Sequence, residues 1–236
     1  MIDYRNQKLL VIAPHPDDEV LGCGGLIKKV KEAGGKVFVQ YLTNGTTRDF
    51  SQKGTSTISE RRKEIRAVAN YLQFDTYHVG FASNAYHLKL DTYGQMAVMQ
   101  LIERKSPISI EKIKPTTVAF PSQYSYNQDH QLVARAVHAV LRPSEKPNKH
   151  FVSHVVAYEV PADAWSLHNQ NPPNLLVSLN KKEFTAKTHA MKLYASQMRP
   201  WPNPRAIKTL EAFARLRGSL ASTDFAEGYF IYRMVA

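Results

Sequence analysis

The apolar run Leu9-Leu10-Val11-Ile12-Ala13 passes directly into Pro14-His15-Pro16-Asp17-Asp18-Glu19. That junction constrains the fold more than anything else in the chain. A short hydrophobic run ending in turn residues reads as a buried strand, here with an imidazole and three carboxylates at its C-terminal tip. Strand tips of open α/β sheets are where ligands bind. Three neighbouring acids disfavour one another's ionised forms, and a divalent cation held by imidazole and carboxylate removes that conflict.

Strand and helix signals then alternate, the pattern of a mostly parallel, Rossmann-like sheet with helices on both faces. Lys8 to Ala13 is the first strand. The helix after it, with Asp17 or Asp18 at its cap, carries Leu21, Leu26, Ile27 and Val30 and stops at Gly34-Gly35. Val37 to Leu42 and Thr76 to Phe81 are further strands, separated by a polar loop (Thr46 to Thr57) and a helix bearing Ile65, Val68, Ala69 and Leu72. Met96 to Arg104 reads as helix, Thr116 to Phe120 as strand, and Asp129 to Leu141 as helix. Phe151 to Val160, Leu175 to Leu179 and Tyr229 to Met234 read as strands. Helices over Lys181 to Met198 and Ala206 to Arg217 flank a rigid Pro200–Pro204 linker. Ala82 to Tyr93 has no clear assignment. With 236 residues and neither a repeat nor a linker-like tract, the chain reads as one α/β domain over 1–236.

Composition removes some function classes. No apolar stretch approaches the ~18 residues of a membrane span, and the N-terminus lacks the order of a signal peptide. The single cysteine, Cys23, excludes an internal disulfide framework and fits a cytoplasmic protein, with Cys23 as a small buried helix residue. The net charge of +11 raises nucleic acid as a partner. The bases are spread thinly, however: Lys28, Lys29 and Lys31, then Arg61, Arg62, Lys63 and Arg66, then Lys181, Lys182 and Lys187. A solvated basic surface, or attraction of an anionic or phosphate-linked small substrate, accounts for them.

A second strand tip repeats the chemistry of the first. Phe120-Pro121 leads to Tyr124-Ser125-Tyr126-Asn127-Gln128-Asp129-His130 and a helix. Neighbouring parallel strands deliver such loops to one sheet edge, so His15, Asp18 and His130 form a two-imidazole, one-carboxylate set. Three protein ligands leave a position open, as in catalytic zinc sites, and an ion there lowers the pKa of water to ~7. Fe2+ and other divalent ions suit the same donors. Asp17, adjacent to a ligand yet pointing elsewhere, is placed as general base and later acid. Asp129 is placed to fix a ligand's tautomer. Glu19 caps the helix or supports the site. The other histidines (His78, His87, His138, His150, His154, His168 and His189) lack mutual ligand spacing and read as surface or core residues. Tyr124, Tyr126, Trp165 and Trp201 read first as packing residues.

These motifs resemble the PIG-L or LmbE-like de-N-acetylases, which remove acetyl groups from N-acetylglucosamine units on varied carriers. Ala13 to Glu19 is similar to the family's Ala-His-Pro-Asp-Asp-Glu signature with Pro14 inserted. Thr43-Asn44-Gly45 resembles its Thr-x-Gly turn, Arg61 to Glu64 its Arg-x-x-Glu helix start, and Asn127 to His130 its His-x-Asp-His element. Lys187 to Gln197 and Phe225 to Tyr229 resemble its closing helix and strand. The resemblance implies an amino-sugar deacetylase with metal ligands His15, Asp18 and His130 and general base Asp17. It also implies a substrate-binding role for Arg61, which the sequence alone leaves as a surface charge. Asn127 stands where the family commonly has a histidine, and Ser125 where it has an acid or tyrosine. Asparagine donates a hydrogen bond to an oxyanion but delivers no proton, which leaves Asp17 both transfers.

The rival readings are weaker. A two-metal phosphoester hydrolase needs further acidic loops. A non-catalytic binding protein sits poorly with an intact ligand set. Gly22-Cys23-Gly24-Gly25 lacks the dinucleotide spacing and follows an acidic cluster that repels pyrophosphate. Nothing in the residues names the carrier on the sugar, or chooses between a monomer and a homo-oligomer.

Overall fold

A computed structural model describes residues 3–48, 55–145, 148–166 and 172–235. The chain runs β1 (Lys8–Ala13), α1 (Asp18–Glu32), β2 (Lys36–Thr43), β3 (Thr47–Arg48), β4 (Thr55–Ser56), α2 (Ile58–Leu72), β5 (Thr76–Phe81), α3 (Gln95–Gln100) and α4 (Ile110–Ile113). It continues with β6 (Thr117–Pro121), α5 (Gln128–Val140), β7 (His154–Tyr158), β8 (Leu175–Leu179), α6 (Lys181–Leu193), α7 (Ile207–Ser219) and β9 (Phe225–Met234).

Seven strands form one sheet in the order β5-β2-β1-β6-β7-β9-β8. The first five are parallel, and β9 runs antiparallel to both its neighbours. The strands read from hydrophobic runs are all present. β7 is shorter than its apolar run and β9 starts earlier, at Phe225, where it pairs with Leu179. Helix α6 ends five residues before the expected Met198, and Tyr194 to Gln197 instead form a turn that faces the site. Thr46 to Thr57 contains the two-residue strands β3 and β4, with 49–54 outside the described residues.

The core is two layers, one on each face of the sheet. One side packs Val11, Val39, Ile27, Val68, Met191 and Leu210, the other Leu10, Ile12, Val118, Val133 and Val137. The β-strands buried on both faces read as continuous apolar runs for that reason. Helix α1 lies unusually close to the sheet. A Cβ at Gly22 would fall 2.2 Å from the Tyr158 ring, and one at Gly25 would fall 2.3 Å from Leu179. The glycines singled out in the sequence are therefore packing residues.

β1 is the central element for function. Its neighbours are β2 on one side and β6, reached after a long excursion, on the other. The chain reverses its direction of progress across the sheet at β1 and β6, and loops that part at such a switch point open a crevice. Among the described residues, no helix is long and apolar enough to cross a membrane.

Candidate active site

The crevice at the switch point is a cleft of about 290 Å³ lined by His15, Asp17, Asp18, Asn127 and His130 from the two loops. His15 and Asp18 come from the β1–α1 turn, and His130 from the first turn of α5. Their ligand atoms all lie within 4.8 Å of one another, and all three residues are buried. Asp18 Oδ2 is 3.1 Å from His130 Nε2 and 3.4 Å from His15 Nδ1. Ligands of a tetrahedral divalent ion at ~2.0–2.2 Å stand roughly 3.3–3.5 Å apart, so this donor set fits one ion. The flanking imidazoles hold the Asp18 carboxyl well below the usual range even though burial opposes ionisation.

Asp129 is fully buried, and its Oδ2 is 3.0 Å from His15 Nε2 while its Oδ1 accepts the Leu90 N–H. With Nε2 held by Asp129, Nδ1, which faces Asp18, is the nitrogen that would turn to a metal ion once its proton is displaced. Burial disfavours charge on His15, but Asp129 and Asp18 outweigh it and push its pKa up to about 9. Asp129 thus stands beside the His15 imidazole.

Asp17 occupies the N-cap position of α1 yet makes no capping bond, and its φ of 115° lies in the left-handed region. For a non-glycine residue that conformation costs on the order of 1–3 kcal/mol and persists only where its surroundings enforce it. Here they do. The Asp17 N–H donates to Glu19 Oε2 at 3.1 Å, and the Arg61 guanidinium donates to the preceding Pro16 carbonyl. Glu19 accepts in turn from Tyr194 Oη at 2.6 Å, and Tyr194 meets Tyr41 Oη at 3.1 Å. Burial pushes the Glu19 carboxyl up to about 7. Glu19 therefore braces the turn through the N–H of the N-cap residue. The Asp17 carboxyl is raised above its ordinary value, chiefly by burial and by Asp18, against the pull of Arg205 and Arg61. Its Oδ2 has no hydrogen-bond partner, and the Arg205 Nε stands 3.6 Å away.

Asn127 caps α5: its Oδ1 accepts the N–H groups of Asp129 and His130 at 2.9 and 3.4 Å. With the oxygen committed to the helix, the amide hydrogens are the group it can offer the cleft. Arg61 lines the cleft but is 1% exposed, stacked over Tyr194 and bonded to Glu64 and Ser196 as well as Pro16.

Sequence reasoning missed Arg205, which meets Asp17, and two further cleft residues. His87, grouped above with the surface and core histidines, packs edge-on against the His15 ring at 5.2 Å and bonds Thr43 and Thr47 through its two nitrogens. Burial, with His15 nearby, lowers its pKa to about 4, so it is neutral. Asp163, buried in the 3-10 turn Pro161–Trp165, lines the cleft, and its Oδ2 accepts the Val160 N–H at 3.3 Å. Neither stands at a ligand-like spacing from His15, Asp18 or His130, which is why no motif marks them. Among the remaining histidines, His138 packs on Tyr232 and His189 on Tyr71, while His168 lies outside the described residues. Cys23 is buried and its thiol pushed up by burial, which makes it inert.

Residues 10–141 match the family model described as PIG-L: GlcNAc-PI de-N-acetylase. An uncharacterized deacetylase, YaiS, of Escherichia coli (strain K12) is 26% identical over 193 residues, spanning 81% of this chain and 92% of its own. The conserved protein TT1542 of Thermus thermophilus superposes with a TM-score of 0.73 at 23% identity, covering 98% of this chain and 96% of that one. The N,N'-diacetylchitobiose deacetylase of Pyrococcus horikoshii does so with a TM-score of 0.71 at 20% identity, covering 97% and 85%.

Proposed function

This chain belongs to the PIG-L (GlcNAc-PI de-N-acetylase) family, and from that premise we propose that it hydrolyses the N-acetyl group of an N-acetylglucosamine-like amino sugar or its conjugate. The observation that carries the reading is a strained carboxylate, Asp17, with one oxygen free of hydrogen bonds, beside a convergent His15, Asp18 and His130 at the floor of a cleft. Zinc is the ion the donor set favours, with Fe2+ an alternative. When bound, such an ion lowers the pKa of water and draws charge from an acyl oxygen.

The chain's own groups then divide the work. Asp17 takes the proton of the attacking water and returns it to the departing amine, since it adjoins the ligand Asp18 and keeps one oxygen without a hydrogen bond. Water adds across the amide and the C–N bond breaks, giving acetate and a free amino sugar. The Asn127 amide donates to the oxyanion that forms at the former carbonyl. Asp129 holds the proton on His15 Nε2, and Arg61 fixes the Pro16 carbonyl and so the attitude of Asp17. Arg61 also borders the cleft, and we assign it contact with a substrate oxygen there.

Acetate release from free, nucleotide-linked, inositol-linked and β-1,4-linked N-acetylglucosamine, by metal-loaded protein, tests this. Release that disappears in Asp17→Asn supports it. A second reading, a protein that keeps the metal without turnover, is favoured by Asn127 and the +11 charge, and predicts one bound ion with no acetate from any substrate. Failure to bind a divalent ion sinks both.

A further inference from the structure

Among the described residues the cleft is lined by three histidines, His15, His130 and His87. The first two belong to the candidate metal set. With asparagine at position 127, His87 is the one further imidazole in the cleft that could hand a proton to a substrate. Its hydrogen bonds decide whether it can.

A neutral imidazole carries a proton on one ring nitrogen and a lone pair on the other. His87 Nδ1 lies 3.2 Å from Thr43 Oγ1, and Nε2 lies 3.0 Å from Thr47 Oγ1. The Thr43 hydroxyl has a single proton and donates it to the Pro14 carbonyl at 3.2 Å. It is therefore an acceptor toward His87, which puts the imidazole proton on Nδ1. Nε2 keeps its lone pair and accepts from the Thr47 hydroxyl. Only this tautomer makes all three contacts hydrogen bonds. It leaves His87 neither a proton for a substrate nor a lone pair for an ion.

What the ring does instead follows from what it touches. It meets the His15 ring edge-on, with centroids 5.2 Å apart and planes at 85°. Asp129 Oδ2 holds the same His15 ring at Nε2, and Asp129 Oδ1 accepts the Leu90 N–H at 3.1 Å. The segment that carries His87 is thus tied to the carboxylate that orients His15. Within it the His87 N–H donates to the Ser83 carbonyl, and Leu88 is held at a φ of 57°, uncommon for a residue with a side chain.

We propose that His87 is a positioning residue for the metal site: an Nδ1-protonated imidazole, clamped by Thr43 and Thr47, that fixes the His15 ring jointly with Asp129. This rests on His15 being a ligand, as the deacetylase reading has it, but the tautomer is testable without metal or substrate.

The first measurement is a long-range 1H–15N correlation spectrum of the imidazoles in metal-free protein, with the His87 signals identified by their loss in His87→Phe. Expected is a proton on Nδ1 and a bare Nε2; a proton on Nε2 overturns the clamp. Chelator competition for Zn2+ then compares variants. His87→Ala should weaken the ion about three- to tenfold, the worth of one edge-on ring contact. His87→Phe, which keeps a ring there, should restore most of that loss. In an Asp129→Asn background the alanine change should cost less than about twofold, because both residues act on His15. Unchanged affinity in folded His87→Ala, or full additivity with Asp129→Asn, overturns the proposal. At saturating zinc, His87→Phe should lower kcat by less than about tenfold, whereas a fall of about 10²-fold or more with the ion retained makes His87 a proton donor. That result sinks the proposal and leaves the deacetylase standing. No acetate from any substrate, with ion affinity still dependent on His87, removes the deacetylase and leaves the brace.

Discussion

Helix α1 presents two buried carboxylate clusters, one at its N-terminus and one at its middle, and they are built on opposite principles. At the middle, Glu227 from β9 is saturated. Its Oε1 accepts from Lys187 Nζ and the Gly25 N–H at 2.7 and 2.8 Å, and its Oε2 accepts from the Leu26 N–H and Tyr229 Oη, both at 2.8 Å. Lys187 also donates to the Leu21 carbonyl. At the N-terminus, among the described residues, Asp17 Oδ2 accepts no hydrogen bond and faces the Arg205 Nε at 3.6 Å, and His130 Nδ1 has no hydrogen-bond partner. Buried polar atoms are nearly always satisfied. The saturated cluster fastens the helix to the sheet; the other is where the proposed chemistry would be performed.

Substitution should separate the two. Asp17→Asn removes a general base and so should lower kcat by about 10²–10⁴-fold, with metal content unchanged. Thermal stability should hold or rise, because a desolvated charge in a strained turn is relieved. Glu227→Gln should do the reverse. It leaves the Lys187 ammonium buried without a counter-charge, which costs about 3–5 kcal/mol. Denaturant titration should show that loss, while kcat per folded molecule stays near the starting value. Equal destabilisation by both variants would break the comparison.

Asn127 belongs to both worlds, as a cap and as a donor to the cleft, and one change can part the roles. Asn127→Asp keeps an oxygen for the Asp129 and His130 N–H groups, so α5 should retain its stability within about 0.5 kcal/mol. It lacks the amide hydrogens, so kcat should fall roughly 10²–10³-fold. Loss of stability with kcat preserved would make Asn127 a cap only.

Much of this was legible in the sequence because it is local. The β1 run and the acids after it are adjacent in the chain, and parallel strands feed their loops to one edge, so His15, Asp18 and His130 could be brought together from spacing alone. Asp129 at a ligand followed from the same logic. What stayed hidden arises from packing between distant segments. His87 reaches His15 from a stretch with no periodicity, and Gly45 leaves the room it needs: a Cβ there would fall 2.3 Å from His87. Asp163 comes from a short turn after β7. Arg61 reads as a surface charge on a helix, and only the fold shows that it lies 1% exposed against Pro16 and Tyr194. The closing Lys187-to-Gln197 element holds no candidate ligand; in space it supplies the lysine of the saturated cluster and, through Tyr194 and Glu19, a brace for Asp17.

The Asp129–His15 pair gives a finer test of the unsaturated cluster. Asp129→Asn weakens the carboxylate that orients His15, and metal affinity should drop about 10–100-fold, measured by competition with a chelator. The pH dependence sharpens this. In metal-free protein His15 holds its proton up to about pH 9, and an incoming ion has to displace it. Apparent affinity should therefore climb by up to tenfold per pH unit below about 9 and level off above it, with proton release seen by calorimetry in buffers of different ionisation enthalpy. An ordinary histidine, pKa about 6.5, would level off more than two units lower, and Asp129→Asn should move the knee in that direction. The linked effect on stability has the sign of a raised pKa: the contribution of the His15–carboxylate contacts is complete below about pH 6.5 and is lost as pH rises through about 9. Metal-free protein should accordingly lose melting temperature across that window and Asp129→Asn should lose less of it, whereas parallel curves for the two proteins would place the proton somewhere other than His15.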